Sequence, residues 1–236
     1  MKQKNNMLSG NVLKSIIPFA LPIMLSSLLQ YNYSLIDNII VGRYVSTDAL
    51  AAVGNVGPIS SFVVGASLGL TSGFTIPIAQ AFGANDRKKL NLYTASSVKV
   101  SLIAGICTII FGEILSYPLL SAIGTPDEII KMSASYINVL YLGVPFQMLS
   151  SNFTAISRAV GESRKPLYFH IVSVIVNFFL DLLFVKHFAW GVEGAAGATL
   201  ISQALAMVLT GAYVFKFNQN ISVTKSDFKT NIKVAW

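Results

Sequence analysis

Cysteine, histidine and charge are all scarce in this 236-residue sequence, which has one cysteine, two histidines and only 11% Asp, Glu, Lys and Arg. The lone Cys107 excludes a disulfide framework. His170 and His187 have no Cys or carboxylate partner at a useful spacing, so there is no Cys/His metal motif and no histidine-based catalytic constellation. A glycine-rich phosphate loop is also missing, and nothing in the chain reads as an enzyme. Soluble domains carry about a quarter charged residues. The shortage here excludes water as the main solvent.

What the sequence has instead is apolar surface, with 53% hydrophobic residues and a mean hydropathy of +0.63. Six apolar segments, at about residues 14–42, 50–80, 93–116, 131–157, 167–186 and 193–216, each reach the roughly 20 residues that a helix needs to cross a bilayer. None shows the ten-residue alternation of a membrane barrel, and hydrocarbon offers no partner to an open backbone. The expected fold is therefore all-α, a polytopic membrane helix bundle with six transmembrane helices. The N-terminal lysines precede an apolar stretch that runs past residue 30 without an A-x-A site, so this segment reads as a retained first helix rather than a signal peptide.

The net charge of +7 acquires a meaning once its position is mapped. Thirteen of the 17 basic residues fall in the N-terminus, the 83–91 loop, the 158–166 loop and the C-terminal tail, whereas only Arg43, Lys131 and Lys186 fall on the other side. The positive-inside rule then places both termini in the cytoplasm of a multi-pass protein of the plasma or inner membrane. Lys99, about two turns into the third helix, can snorkel to the headgroups. Pro18 and Pro22 in the first helix, Pro58 and Pro77 in the second and Pro145 in the fourth fit either fixed bends or hinges.

Ionisable groups within membrane helices are costly and mark candidate sites. Asp37 lies six residues before Arg43, and Asp181 lies five before Lys186, which puts both about 8 to 9 Å below the outer boundary. Thr199, six residues after Glu193, reaches the same depth, and Asn177 sits one turn from Asp181 on the same helical face. Gln147 and Asn152 offer amides from the fourth helix. The two aspartates fit either a buried ion site or interfacial pairs with Arg43 and Lys186, and Glu113 fits interfacial solvation. Carboxylate, amide and hydroxyl oxygens suit a hard monovalent cation, and a buried carboxylate suits a proton. Sequence leaves Na⁺ and H⁺ equally open.

Four stretches in corresponding loops carry a resemblance: Asp37-Asn38-Ile39-Ile40-Val41-Gly42-Arg43, Gly83-Ala84-Asn85-Asp86-Arg87, Arg158-Ala159-Val160-Gly161-Glu162-Ser163-Arg164-Lys165-Pro166, and Trp190-Gly191-Val192-Glu193-Gly194-Ala195-Ala196. With them the chain resembles the N-terminal half of multidrug and toxic compound extrusion (MATE) family transporters. The resemblance implies one lobe of a two-lobed, twelve-helix transporter fold, with residues 1–216 as the six-helix lobe and 217–236 as the start of a cytoplasmic interlobe linker. It implies a cation site for Na⁺ or H⁺ formed by Asp37, Asn177, Asp181 and Thr199, with Asn152 as a further candidate. Pro22 stands where a proline bend has been proposed to follow protonation in part of the family.

The implied activity is secondary active efflux of organic, often cationic, drugs or toxic compounds in exchange for Na⁺ or H⁺, with no cofactor beyond that coupling ion. The implied partners are the small-molecule substrate, the bilayer and a missing C-terminal lobe, or else a second half-size chain; nucleic acid is not among them. The chain stops at Trp236 after a Lys-rich stretch, so the expectation is an incomplete chain rather than a half-size transporter. The alternatives are a flippase for a lipid-linked saccharide and a half-size membrane subunit without transport of its own.

Overall fold

A computed structural model describes residues 12–218, 221–224 and 227–228. The described residues form six long helices, and no strand occurs among them. In chain order these are α1 (Val12–Tyr44), α2 (Thr47–Gly83), α3 (Arg87–Ala122), α4 (Asp127–Ala159), α5 (Arg164–Asp181) and α6 (Gly191–Ala212). α5 and α6 each run on into a wider π-helical turn, at Leu182–His187 and Tyr213–Phe217. Each helix extends a few residues past its apolar segment, because polar residues at the ends complete the helix in the headgroup layer.

Local chemistry explains where the chain reverses. Ser46 accepts a hydrogen bond from the Ala49 amide at 3.0 Å and caps α2, and Asp86 does the same for the Lys89 amide at the start of α3. The 158–166 loop turns at Gly161, with φ at 87°, in a left-handed conformation that a side chain would strain. Asn85, with φ at 55°, makes the equivalent turn between α2 and α3.

Among the described residues, α2 to α6 are each long and apolar enough to cross a bilayer. α1, at 33 residues, matches them in length and packs against α5, α2 and α6. α4 is the hub, with α2, α3 and α6 packed around it. Half of its most apolar stretch is buried, against 11% for α3, so α3 faces lipid while α4 forms the interior. One apolar core, with Val41, Val53, Val56, Ile137, Tyr141 and Ala195, lies at the end near the α3–α4 and α5–α6 turns. A second, with Phe74, Ile78, Leu90, Ile156 and Val214, lies at the opposite end.

Small residues set how closely the helices meet. A Cβ on Gly105 would stand 2.7 Å from the Cα of Pro145, and one on Gly112 would stand 2.8 Å from the Tyr141 ring. The α3–α4 contact therefore depends on two glycines, as membrane interfaces commonly do. The prolines do not break the helices: Pro58, Pro77, Pro118 and Pro145 lie inside continuous helical segments. Pro22 is buried within α1, and its carbonyl accepts the Ser26 hydroxyl at 2.8 Å. In the tail, Lys225 and 229–236, including Lys229, Lys233 and Trp236, lie outside the described residues, as do Lys2 and Lys4 at the other terminus. Asn91 of α3 holds the described part of the tail through both the amide and the carbonyl of Ser222.

Candidate functional site

Asp37 is fully buried on α1, and two hydroxyl donors from different helices converge on its carboxylate. Tyr136 of α4 donates to Oδ2 in a short hydrogen bond. Thr199 of α6 donates between the two oxygens, 3.2 Å from Oδ1 and 3.3 Å from Oδ2. The Thr199 hydroxyl in turn accepts from Asn177 Nδ2 of α5 at 3.2 Å. Four helices thus meet through one hydrogen-bonded chain, and its donors all point toward Asp37.

Asp181 completes the cluster without entering that chain. It is fully buried and lies beside Asp37 in direct electrostatic contact. Neither of its oxygens meets a donor, and neither does Asn177 Oδ1. Three buried acceptor oxygens are therefore left facing a second carboxylate. Removing one partner from a buried ion pair already costs several kcal/mol, and here, among the described residues, the only partner beside Asp181 is the Asp37 carboxyl, with which it can share a proton. A proton or a metal cation would supply the positive charge that suits this set of oxygens. Oxygen donors of this kind fit a hard monovalent cation as well as a proton.

The interfacial alternative for the two aspartates does not hold in the structure. Arg43 and Lys186 both lie against the Tyr44 ring instead, at 5.8 Å and 5.2 Å from its centroid. Asp37, Asn177, Asp181 and Thr199, chosen by depth in the sequence, meet as one cluster. Asn152 does not join them. It lies 16 residues beyond Tyr136 along α4, about 24 Å at 1.5 Å per residue, and its amide donates to Ser97 of α3 at 3.1 Å. The side chain is buried as interhelical packing between α3 and α4. Glu113 is exposed, as expected of an interfacial carboxylate.

Tyr136 is the member that the sequence reading missed, although the signal was there. It follows Lys131 by five residues, the same offset from an outer basic residue that singled out Asp181. A cleft of about 520 Å³ opens beside the cluster, lined by Tyr33, Asp37, Tyr136, Gln147, Thr199 and Gln203 among others. No Lys or Arg lines it. Asp37 and Thr199 are reached from this cleft, whereas Asn177 and Asp181 stand behind them.

Comparison with known proteins gives one consistent answer. The MatE family model matches residues 22–183. The chain is 30% identical over 220 residues to the probable multidrug resistance protein YoeA of Bacillus subtilis, covering 92% of this chain and 48% of the relative. It is 25% identical over 224 residues to the multidrug export protein MepA of Staphylococcus aureus, covering 95% of this chain and 48% of that one. Among solved structures, a MATE protein in its bent conformation superimposes with a TM-score of 0.91 at 26% identity, over 99% of this chain and 52% of that one. An outward-facing multidrug resistance MATE transporter gives a TM-score of 0.87 at 26% identity, over all of this chain and 52% of that one. The chain spans about half the length of the relatives that it matches.

Proposed function

The chain belongs to the MatE family, and from that premise we propose that it forms the N-terminal half of a secondary active efflux antiporter. In this reading the protein exports organic, often cationic, compounds while a cation enters at Asp37, Asp181, Asn177 and Thr199. The observation that carries it is the pair of buried, donor-free oxygens on Asp181 next to Asp37. A cation bound there relieves the repulsion between the two carboxylates, and its departure restores repulsion between α1 and α5. That difference between bound and free states is the physical requirement for coupling ion movement to helix movement.

The substrate class is supported by the cleft. Its lining mixes aromatic rings with amides and has the buried Asp37 carboxylate in its wall, which suits a lipophilic cation. The absence of Lys and Arg from that lining weighs against a lipid-linked saccharide, whose phosphates call for basic partners. Pro22, buried in α1 about three turns before Tyr33, is the hinge at which α1 would respond in this reading. The basic loops at 83–91 and 158–166 set the cytoplasmic side in this reading, so the cation cluster lies in the outer half of the lobe.

Export of ethidium by cells expressing the complete protein tests the proposal. Asp37→Asn and Asp181→Asn should each abolish concentrative export while the protein remains in the membrane. Export at the original rate by both variants would contradict the coupling role.

A further inference from the structure

α5 is amphipathic in the reverse sense for a membrane helix. Its exposed face carries Ile171, Val172, Ile175 and Phe179, whereas its buried face carries His170, Ser173, Asn177 and Asp181. These four follow one another at intervals of three, four and four residues, and so form a single stripe. All are at most 3% exposed. At 1.5 Å per residue the stripe extends about 16 Å, from the carboxylate pair toward the Arg158 end of the lobe. An apolar stripe would have packed this face at lower cost, since each buried polar group needs a partner.

Ser173 and His170 bond back to the Phe169 and Pro166 carbonyls of their own helix, whereas several groups that face the stripe from its neighbours have no partner. Tyr33 of α1 lies beside Ser173, yet its hydroxyl makes no hydrogen bond of good geometry. Beyond it, a cavity of about 280 Å³ is lined by Tyr33, Gln147, Ser150, Ser151, His170 and Gln203. Ser150 Oγ and Gln203 Oε1 are buried there without a partner. Tyr33, Gln147 and Gln203 also line the cleft that reaches Asp37, so the two spaces share a wall of three polar side chains. A space of this size, with the unsatisfied Ser150 and Gln203 oxygens at its wall, has room for a water molecule.

His170 ends the stripe with a defined tautomer. Its Nδ1 lies 2.8 Å from the Pro166 carbonyl, which can only accept, so Nδ1 carries the proton and Nε2 is left as an acceptor. The charged group in electrostatic range is Arg158 of α4; Tyr33 faces the same cavity from α1, and the α6 residues there, Gln203 and Ala206, do not titrate. An imidazole is a poor ligand for a hard cation but an effective proton carrier.

We propose that this stripe is a hydrated proton passage through the lobe, connecting the Asp37–Asp181 pair to the Arg158 end by way of Asn177, Ser173, Tyr33 and His170. The proposal builds on the coupling reading given above and selects the proton as the ion that leaves by this route. No bond other than O–H and N–H is made or broken; each proton accepted at one group is matched by one released at the next.

The complete protein carrying this lobe, in a Cys107→Ser background, provides the test. Ser150→Cys and Ser173→Cys should react with a small water-soluble thiol reagent, while Ile156→Cys, packed in the apolar core, should not. In proteoliposomes, His170→Leu and Ser173→Val should each lower pH-gradient-driven ethidium export about tenfold or more, leaving the ethidium Kd unchanged within about twofold. Unreactive Ser150→Cys and Ser173→Cys would overturn the passage whatever the export rates. Wild-type export by the His170→Leu/Ser173→Val double variant would overturn its role in proton transfer. So would export driven by a Na⁺ gradient at fixed pH and unaffected by that double variant. Undiminished export by Asp37→Asn is the separate signature of a failed coupling reading. Should His170→Leu not reach the membrane, Ser173→Val and the thiol labelling decide the matter.

Discussion

The Tyr136 hydroxyl of α4 is hydrogen-bonded to Oδ2 of Asp37 on α1, and so ties the hub of the bundle to the helix on the opposite wall of the cleft. This contact therefore reports whether the cluster is assembled. Tyr136→Phe keeps the ring in its apolar surroundings and removes only the donor. The expected result is a loss of about 1 to 3 kcal/mol in stability, read by thermal denaturation in detergent, together with export reduced but not abolished.

Thr199 relays between Asn177 and Asp37, so its two possible replacements should separate cleanly. Thr199→Val removes the hydroxyl at nearly constant volume, leaving the Asn177 amide and an Asp37 oxygen without their bonds. Export should fall about tenfold or more. Thr199→Ser retains the hydroxyl and should transport at close to the wild-type rate. Equal export by the two variants would show that the hydroxyl is irrelevant.

The α3–α4 interface offers a prediction about the fold alone. Gly105→Ala places a methyl group 2.7 Å from the backbone of Pro145, which cannot move aside as a side-chain end would. Overpacking of this kind costs about 1 to 3 kcal/mol. Gly69→Ala on α2 meets nothing within 4 Å and should leave the melting temperature unchanged or slightly raised. The pair of melting curves checks this.

Asn152 and Gln147 should behave differently, although both are amides on α4. Asn152→Ala removes a buried bond to Ser97 and should lower stability by about 1 kcal/mol, with the substrate affinity of the folded fraction preserved. Gln147→Ala alters the cleft wall and should change ethidium affinity with little loss of stability. Binding isotherms set beside melting curves separate the two effects.

The helices were legible in the sequence because a span of hydrocarbon needs about 20 apolar residues and little else can supply them. Helix ends were less so, since Ser46 and Asp86 extend helices through capping bonds that hydropathy does not register. Most of the cluster followed from depth: Asp37, Asp181 and Thr199 sit five or six residues from outer charged residues, and Asn177 lies one turn from Asp181. Asn152 was nominated as the nearest match to a fourth-helix amide in the resembling family and not by depth, and its separation of about 24 Å along α4 from Tyr136 follows from the same 1.5 Å rise that puts Asp37, Asp181 and Thr199 at one level. Tyr136 was not among the residues singled out, because which way a helix faces depends on packing that a single sequence does not contain. The stripe on α5 was legible in principle, yet a helix with both polar and apolar faces gives no sign from hydropathy alone of which face is buried.

The central claim is that the Asp37–Asp181 pair takes up a cation. Infrared difference spectra of the complete protein, recorded as pH is lowered or Na⁺ is added, observe those carboxylates directly. A carboxyl signal is predicted in the wild type, reduced in Asp37→Asn and in Asp181→Asn and absent when both are replaced. A difference spectrum identical in the wild type and the double variant would contradict it.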